Sequence, residues 1–476
     1  VSQELLTAIK KGRNDIVELL LASGAKVDVP HDINRETALL AAIRLKDPNL
    51  VRKLLVAGMT INENTKHRYK TTSVLPAITD WGYYPLIQEM IAAGADINAT
   101  ERVGGKTSLS IAVENKNSAI IELLLNAGAN INAPLAAIYG NTALEAACRN
   151  NDLDMVRTFL DLGAEPDEWS LVAAISGSVE LVQILLAARL NWYKRFSKGF
   201  GCRALRHAIK LKKAAMIEIL LTTGIDANTF IRYEDNEWDP KKPSRSIAGS
   251  ALGSAIKVDK SNDFWIAQML LRHGANPNSI VGPNETALLA AINQNSLPLV
   301  QMLIAAGADA NPSIVLDVKR TPLQLAAEKG HIHIAKLLLA HGANVNAPPF
   351  VRYGATALQF AAIGGFVGLA NLLLESGADV NAPPAKIGGR TALEGAAEHG
   401  RLDMLQLLLS AGAEIIGPGS EQYESAREFA SENGHVSARR LLEKYKAEIS
   451  EGVVSWNLLS MDLESMPLGF FDEYRF

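Results

Sequence analysis

The chain has 476 residues, a length at which about three average domains would be expected. Its 47 Lys and Arg against 51 Asp and Glu leave a formal charge of -4, which excludes a nucleic-acid binder held by bulk positive charge. With 48% hydrophobic residues the composition argues against wholesale disorder, and with only Cys148 and Cys202 it excludes a disulfide scaffold and favours a reducing compartment.

Residue 1 is Val, and an amphipathic helical pattern starts at once with Leu5, Leu6 and Ile9. A processed or truncated start would account for this, which leaves a signal peptide or an upstream domain open. Two anchors then recur along the chain. An opening built on Thr falls at Thr37, Thr107, Thr142, Thr286, Thr321, Thr356 and Thr391. A Gly that follows a Leu-rich run falls at Gly58, Gly128, Gly163, Gly307, Gly342, Gly377 and Gly412. The gap from each Thr to its Gly is 21 in all seven copies, and the last four glycines are spaced by 35. Weaker copies fill the intervals. Ser73 to Gly94 and Arg203 to Gly224 keep the gap with altered openings, and the copy around Leu171–Leu186 has Arg189 where its closing Gly would stand. The copy ending at Gly274 carries about three extra residues inside its helix pair. The spacing predicts twelve repeats followed by a degenerate helix pair at Tyr423–Tyr445.

One unit, residues 321–346, can be read physically. Thr321 is placed to cap a helix, and Pro322 stands where a missing N–H costs nothing. Leu323, Ala326 and Ala327 face inward, and the small pair lets a neighbouring repeat approach closely. Gly330 ends this helix, and Ile332, Ile334, Leu337 and Leu338 mark a second one at a period of 3.6. Gly342 ends that helix in the left-handed conformation, and Asn344 and Asn346 open an extended loop toward the next Thr. So short a pair cannot bury its own apolar face, so stacked neighbours must bury it.

This unit resembles the ankyrin repeat. TPLQLAAEKGHIHIAKLLLAHGANVNA, Thr321 to Ala347, is the nearest match, and TALQFAAIGGFVGLANLLLESGADVNA and TALEGAAEHGRLDMLQLLLSAGAEI are similar. The resemblance covers residues 1–446 and implies an all-α ankyrin-repeat solenoid, with weaker copies at 168–250. It says little about activity. Ankyrin repeats typically place His after Thr-Pro-Leu to bond neighbouring repeats. Here that position holds Leu40, Pro76, Ser110, Glu145, Arg206, Leu289, Gln324, Gln359 and Glu394, so the resemblance implies that this inter-repeat bond is missing. The long Asn-Ala-Pro-Pro hairpins at Asn346–Gly354 and Asn381–Gly389 look like those of filamentous fungal arrays.

Three insertions, 63–72, 191–203 and 229–249, fall between a closing Gly region and the next opening, which places them on the hairpin edge. Insertions in repeat arrays gather on one face, often the binding face. Residues 447–476 form an acidic, aromatic tail with six carboxylates against Arg475, a net of -5. Three readings stand for it: docking back onto the basic-aromatic loops or the groove, an acidic-hydrophobic effector segment, and a helix capping the last repeat.

No catalytic pattern is present. HExxH, GxSxG, a phosphate-binding loop and CxxC are all lacking, and the short Gly clusters at 104–105 and 199–201 follow no strand. His331 and His333 point away from each other on a helix, and the acidic loop from Glu234 to Asp239 lacks the Gly and Glu of a calcium loop. No metal, cofactor or enzymatic activity is expected. Cys148 reads as buried filler. Cys202, beside Lys198 and Arg203, has basic neighbours that could lower its thiol pKa.

A partner site is the better expectation. Concave positions after each Ala pair include Arg44, Trp81, Glu114, Asn150, Gln294, Glu328 and Glu398, whose mixed signs suit a protein partner and no nucleic acid. Candidate contact residues are Arg68 and Tyr69; Trp81; Trp192, Tyr193, Arg195 and Phe196; Arg232, Tyr233 and Trp238; and Arg352 and Tyr353. Tyr, Trp and Arg dominate interface hot spots, while local packing of loop aromatics would explain the same residues. The reading is an intracellular scaffold, cytoplasmic or nuclear, that binds a protein of unknown identity and does not span a membrane. The alternatives are a regulator linked to transcription with a missing N-terminal domain, and an atypical enzyme or pathway accessory protein that uses the groove as a pocket.

Overall fold

The computed structural model describes residues 2–25, 37–58, 61–62, 74–100, 105–133, 141–193, 199–228, 249–258, 264–282, 285–312, 319–417 and 420–450. Among these residues are 26 helices, in twelve repeat pairs plus a terminal pair, and one two-stranded antiparallel ribbon, Ile280–Gly282 with Glu285–Thr286. The architecture is the all-α solenoid expected. The chain divides into two compact units, Val1–Asp226 and Ala227–Phe476.

The seven threonines start helices as expected. Each Thr Oγ1 accepts the backbone N–H three residues on, at 3.0–3.3 Å. Such a cap is worth about 1 kcal/mol. The first helix of a pair is short and almost wholly buried. In Ala287–Asn293 six of seven residues are buried, whereas the second helix, Leu297–Ala305, buries only the stripe Leu299, Val300 and Leu303. Burial around the whole of a seven-residue helix requires neighbours on both sides, so the first helices form the core and the second helices its outer wall. The closing glycines are left-handed where the outer helices end, with φ between 80° and 91° at Gly307, Gly342, Gly377 and Gly412.

The turn between the paired helices also needs a left-handed residue. Lys46, Lys116, Asn151, Lys212 and Asn295 hold φ of 52–56° there. Gly330, Gly365 and Gly400 occupy the same place in later repeats, and the next repeat needs their missing side chain. A Cβ on Gly330 would stand 2.7 Å from the Phe366 ring, and one on Gly400 2.6 Å from the His435 ring.

A side-chain ladder runs along the hairpins of each unit. Asn62 and Asn132 in the first unit, and Asn228, Asn278, Asn311, Asn346 and Asn381 in the second, each donate Nδ2 to the carbonyl of the next repeat's closing glycine, at 2.7–3.3 Å. Oδ1 of the same side chain accepts the backbone N–H two residues past that glycine, at 2.6–2.9 Å. Each asparagine stands four residues after its own closing glycine.

The ladder changes hands at the degenerate copy. Asp167 stands where the asparagine would be, and its carboxylate instead caps the helix Glu168–Ala174. The following outer helix has no closing glycine and runs 15 residues, Val179–Tyr193, against nine in Leu297–Ala305. Arg189 Nη1 donates to the Pro166 carbonyl at 2.8 Å, and its guanidinium lies 4.7 Å from the Phe200 ring centroid. Glu168 accepts the N–H groups of Gly201 and Arg203, at 2.6 and 2.8 Å, and so caps the helix Cys202–Lys210 from the preceding repeat.

The expected loss of the inter-repeat bond is corrected by two glutamines. Gln324 Oε1 accepts the Thr321 N–H at 3.0 Å, and its Nε2 donates to the Ala347 and Pro348 carbonyls, both at 3.0 Å. Gln359 does the same between Thr356 and the carbonyls of Ala382 and Pro383. A primary amide carries both an acceptor and a donor, so it fills the role that a ring with two nitrogens would fill. The terminal pair, Ser420–Glu432 and Val436–Ser450, buries Tyr423, Ala426, Ala430, Ala438 and Leu442, and Tyr445 donates to the Leu409 carbonyl at 3.1 Å.

Two outcomes follow from these contacts. Gln359→Glu keeps the acceptor for Thr356 but sets a carboxylate against two carbonyls, and should cost about 2 kcal/mol in urea unfolding. Gln359→His should cost less. At Lys116, relief of about 1–2 kcal/mol of left-handed strain exceeds the 0.5–1 kcal/mol of added chain entropy, so Lys116→Gly should raise the urea midpoint.

Candidate functional site

The concave positions use much of their polarity internally. The residue before an opening threonine reaches the last residue of the helix it starts. Lys106 Nζ lies 2.7 Å from Glu114, Arg320 Nε 2.8 Å from Glu328, and Arg390 Nε 2.9 Å from Glu398. In the same register Asn293 Nδ2 donates to Glu285 at 3.1 Å. Arg320 and Arg390 also cover rings of the next layer, 5.2 Å from Phe360 and 4.1 Å from Phe429. Asn150 and Gln294 reach back to the preceding repeat, donating to the carbonyls of Val113 and Ile256 at 2.6 and 3.1 Å. In the second unit these side chains bound an open depression of about 490 Å³, with Leu289 and Leu325 beside Lys319 and Lys329. Two leucines and paired charges supply adhesion but no poised acid, base or nucleophile.

The hairpin tips of the second unit are different. Residues 347–356 and 382–391 stack through the backbone: Tyr353 N–H donates to the Ile387 carbonyl at 2.8 Å, and Ile387 N–H to the Val351 carbonyl at 3.1 Å. Tyr353 takes a left-handed φ of 53°, and Gly388 holds the equivalent place in the next hairpin with a φ of 67°. The Tyr353 ring lies against Gly388, where a Cβ would come within 2.4 Å of it. The pairing presents Val351, Tyr353 and Ile387 to solvent at 52%, 72% and 42% exposure, with Arg352 and Lys386 exposed beside them. Arg352 and Tyr353, both expected contact residues, thus come together in one apolar-basic cluster.

Trp81 ends the helix Val74–Trp81, is half-buried, and stacks on Tyr83 with centroids 5.1 Å apart. Trp192 and Tyr193 belong to the last turn of the long helix Val179–Tyr193, which corrects their placement in a hairpin loop. Without a closing glycine the helix has no local signal to stop before them. Phe200 is buried under Arg189 and acts in packing. Arg68, Tyr69, Arg195, Phe196, Arg232, Tyr233 and Trp238 lie outside the described residues.

A stack of short helix pairs with an open face and solvent-facing hairpins defines a repeat protein of the binding class. The model for ankyrin repeats matches residues 75–168, 252–349 and 348–418, more than half of the chain, and the chain belongs to the ankyrin-repeat family. It is 26% identical over 310 residues to the ankyrin repeat and KH domain-containing protein mask-1 of Caenorhabditis elegans, covering 64% of this chain and 10% of that protein. Over 152 residues it is 30% identical to the B-cell lymphoma 3 protein homolog of Mus musculus, covering 32% of this chain and 33% of that one. Over 228 residues it is 33% identical to the putative ankyrin repeat protein YahD of Escherichia coli, covering 47% of this chain and 90% of that one. The chain thus spans a third or less of the first two relatives.

Among the described residues no group of three His, Cys, Asp or Glu side chains is arranged to hold a metal, and no helix is long and apolar enough to cross a membrane. His331 precedes the helix Ile332–Ala340, and burial together with Lys329 favours its neutral form. Cys148 is fully buried, and burial pushes its thiol far up, so it is core filler as expected. Cys202 is shifted the opposite way from what its basic neighbours alone would do. Burial raises its thiol, the Glu168 carboxylate raises it further, and Arg203 only partly offsets them. In the native protein at neutral pH, a thiol reagent should leave Cys148 unmodified and react with Cys202 more slowly than with a free cysteine. Mass spectrometry of the labelled chain checks this, and Cys148 should label only in denaturant.

Proposed function

We propose that the chain is a protein-recognition scaffold whose partner docks on the hairpin tips 347–356 and 382–391 and on the adjoining concave face of the same unit. The observation that carries this reading is the cluster of Val351, Arg352, Tyr353 and Ile387, exposed although two backbone hydrogen bonds hold it in place. A soluble surface has no folding reason to present an aromatic and two aliphatic side chains together. The ordered backbone lowers the entropy cost of binding there. The ankyrin-repeat family supports a protein rather than a small molecule as the ligand. The insertion residues Arg68, Tyr69, Arg195, Phe196, Arg232, Tyr233 and Trp238, with Trp192 and Tyr193 at the end of the helix Val179–Tyr193, are further proposed contacts on sequence grounds. An intracellular setting, on the low cysteine content, and a filamentous fungal source, on the Asn-Ala-Pro-Pro hairpins, belong to the same proposal.

The test is affinity capture with the full chain, identification of the captured protein, and titration of variants against it. Tyr353→Ala and Arg352→Glu should each weaken binding about tenfold or more while leaving thermal unfolding within a degree or two. Unchanged affinity in both variants, or capture that survives only through the 191–246 region, overturns the assignment to the hairpin tips.

A further inference from the structure

The apolar-basic cluster has a natural complement in the same sequence. The hairpins 347–356 and 382–391 contain Arg352, Lys386 and Arg390 and no acidic residue. Arg390 is engaged by Glu398, which leaves Arg352 and Lys386 as the exposed cations beside Val351, Tyr353 and Ile387. The following loop carries Glu414, and Ile416 there is 40% exposed. Residues 451–476 bear five carboxylates against Arg475, interleaved with Trp456, Leu463, Phe470, Phe471 and Tyr474. They lie outside the described residues and follow the helix that ends at Ser450.

Reach is not an obstacle. An extended chain spans about 3.3 Å per residue, so 26 residues can cover roughly 80 Å. The cluster lies two to three helix layers from the terminal pair, and packed helices stand about 8–10 Å apart. Charges on separate surfaces interact weakly in water, so aromatic contact with Tyr353 and Ile387 has to supply adhesion while Arg352 and Lys386 select the acidic strand.

We propose that residues 451–476 dock on the hairpin-tip cluster of Val351, Arg352, Tyr353, Lys386 and Ile387, as an intramolecular occupant that a partner must displace. This rests on the reading of the tips as a binding surface and adds the means of its regulation.

The test uses the full chain and no external partner. A zero-length carbodiimide reagent joins an amine only to a carboxylate in contact with it. Equal amounts of ¹⁵N-labelled and unlabelled chain, cross-linked at low concentration and read by mass spectrometry, separate links within a chain from links between copies. The expected result is coupling of Lys386 to Asp462, Glu464, Asp472 or Glu473 of the same chain, well above coupling of Lys336, which is exposed on the outer helix Ile332–Ala340. Arg352→Glu and Tyr353→Ala keep the Lys386 amine and should lower its yield about tenfold, with circular dichroism confirming the fold. The proposal is overturned if Lys386 couples no better than Lys336, if its links join two copies, or if neither variant changes its yield. Partner binding at the tips without Lys386 coupling removes only the intramolecular occupant. Coupling without any effect of these variants on a captured partner removes only the partner's assignment.

Discussion

The inner helices are seven to nine residues long, and a helix of that length is marginal in water. Within each unit they persist because they pack against the inner helices of adjoining repeats, where Leu, Ile and Ala lose nearly all their exposure. Stability is therefore a property of interfaces between repeats more than of the repeats themselves. Polar groups at those interfaces carry correspondingly high stakes, because a loosened layer exposes two apolar faces. The glutamines at 324 and 359 show how this is met: one amide closes a cap within its own repeat and satisfies two carbonyls of the next hairpin.

The hairpin edge is held by a separate device. The asparagine ladder joins each loop to the glycine that ends the following outer helix, using a bond in each direction. Each exposed bond contributes on the order of 1 kcal/mol, but repetition along the edge fixes the spacing of the loops. Where Asp167 breaks the pattern, Arg189 and Glu168 replace it with a side-chain bond to Pro166 and a cap on the next helix. The degenerate copy thus keeps its connections while changing their chemistry, which is why a spacing pattern alone marks it as weak.

The fold was legible in the 21-residue gap because that gap is set by backbone geometry: a capped start, two helices and a left-handed stop. All seven opening threonines cap as read, and the closing glycines are left-handed. The ladder was equally present in the sequence, in an asparagine four residues past each of eight glycines, but its partners are in the next repeat and leave no local trace. Reading histidine as the sole carrier of the inter-repeat bond hid the glutamines, whose donor and acceptor do the same work. Trp192 and Tyr193 were misplaced for a simpler reason. Loss of one stop signal at Arg189 lengthens a helix, and nothing around the two aromatics themselves records it.

The candidate surface was only half legible for a related reason. Polar groove residues look available in sequence, yet Glu114, Asn150, Gln294, Glu328 and Glu398 have internal partners across one turn or one layer. A side chain already bonded must be released before it can bind anything else, which blunts the groove's contribution to specificity. Between Val351, Tyr353 and Ile387 the backbone makes the inter-repeat bonds, so Val351, Arg352, Tyr353 and Ile387 are held in place without being used up. Gly388 completes the arrangement by giving up a side chain where the Tyr353 ring lies. The division of labour is physical: where backbone groups connect the layers, side chains remain for recognition.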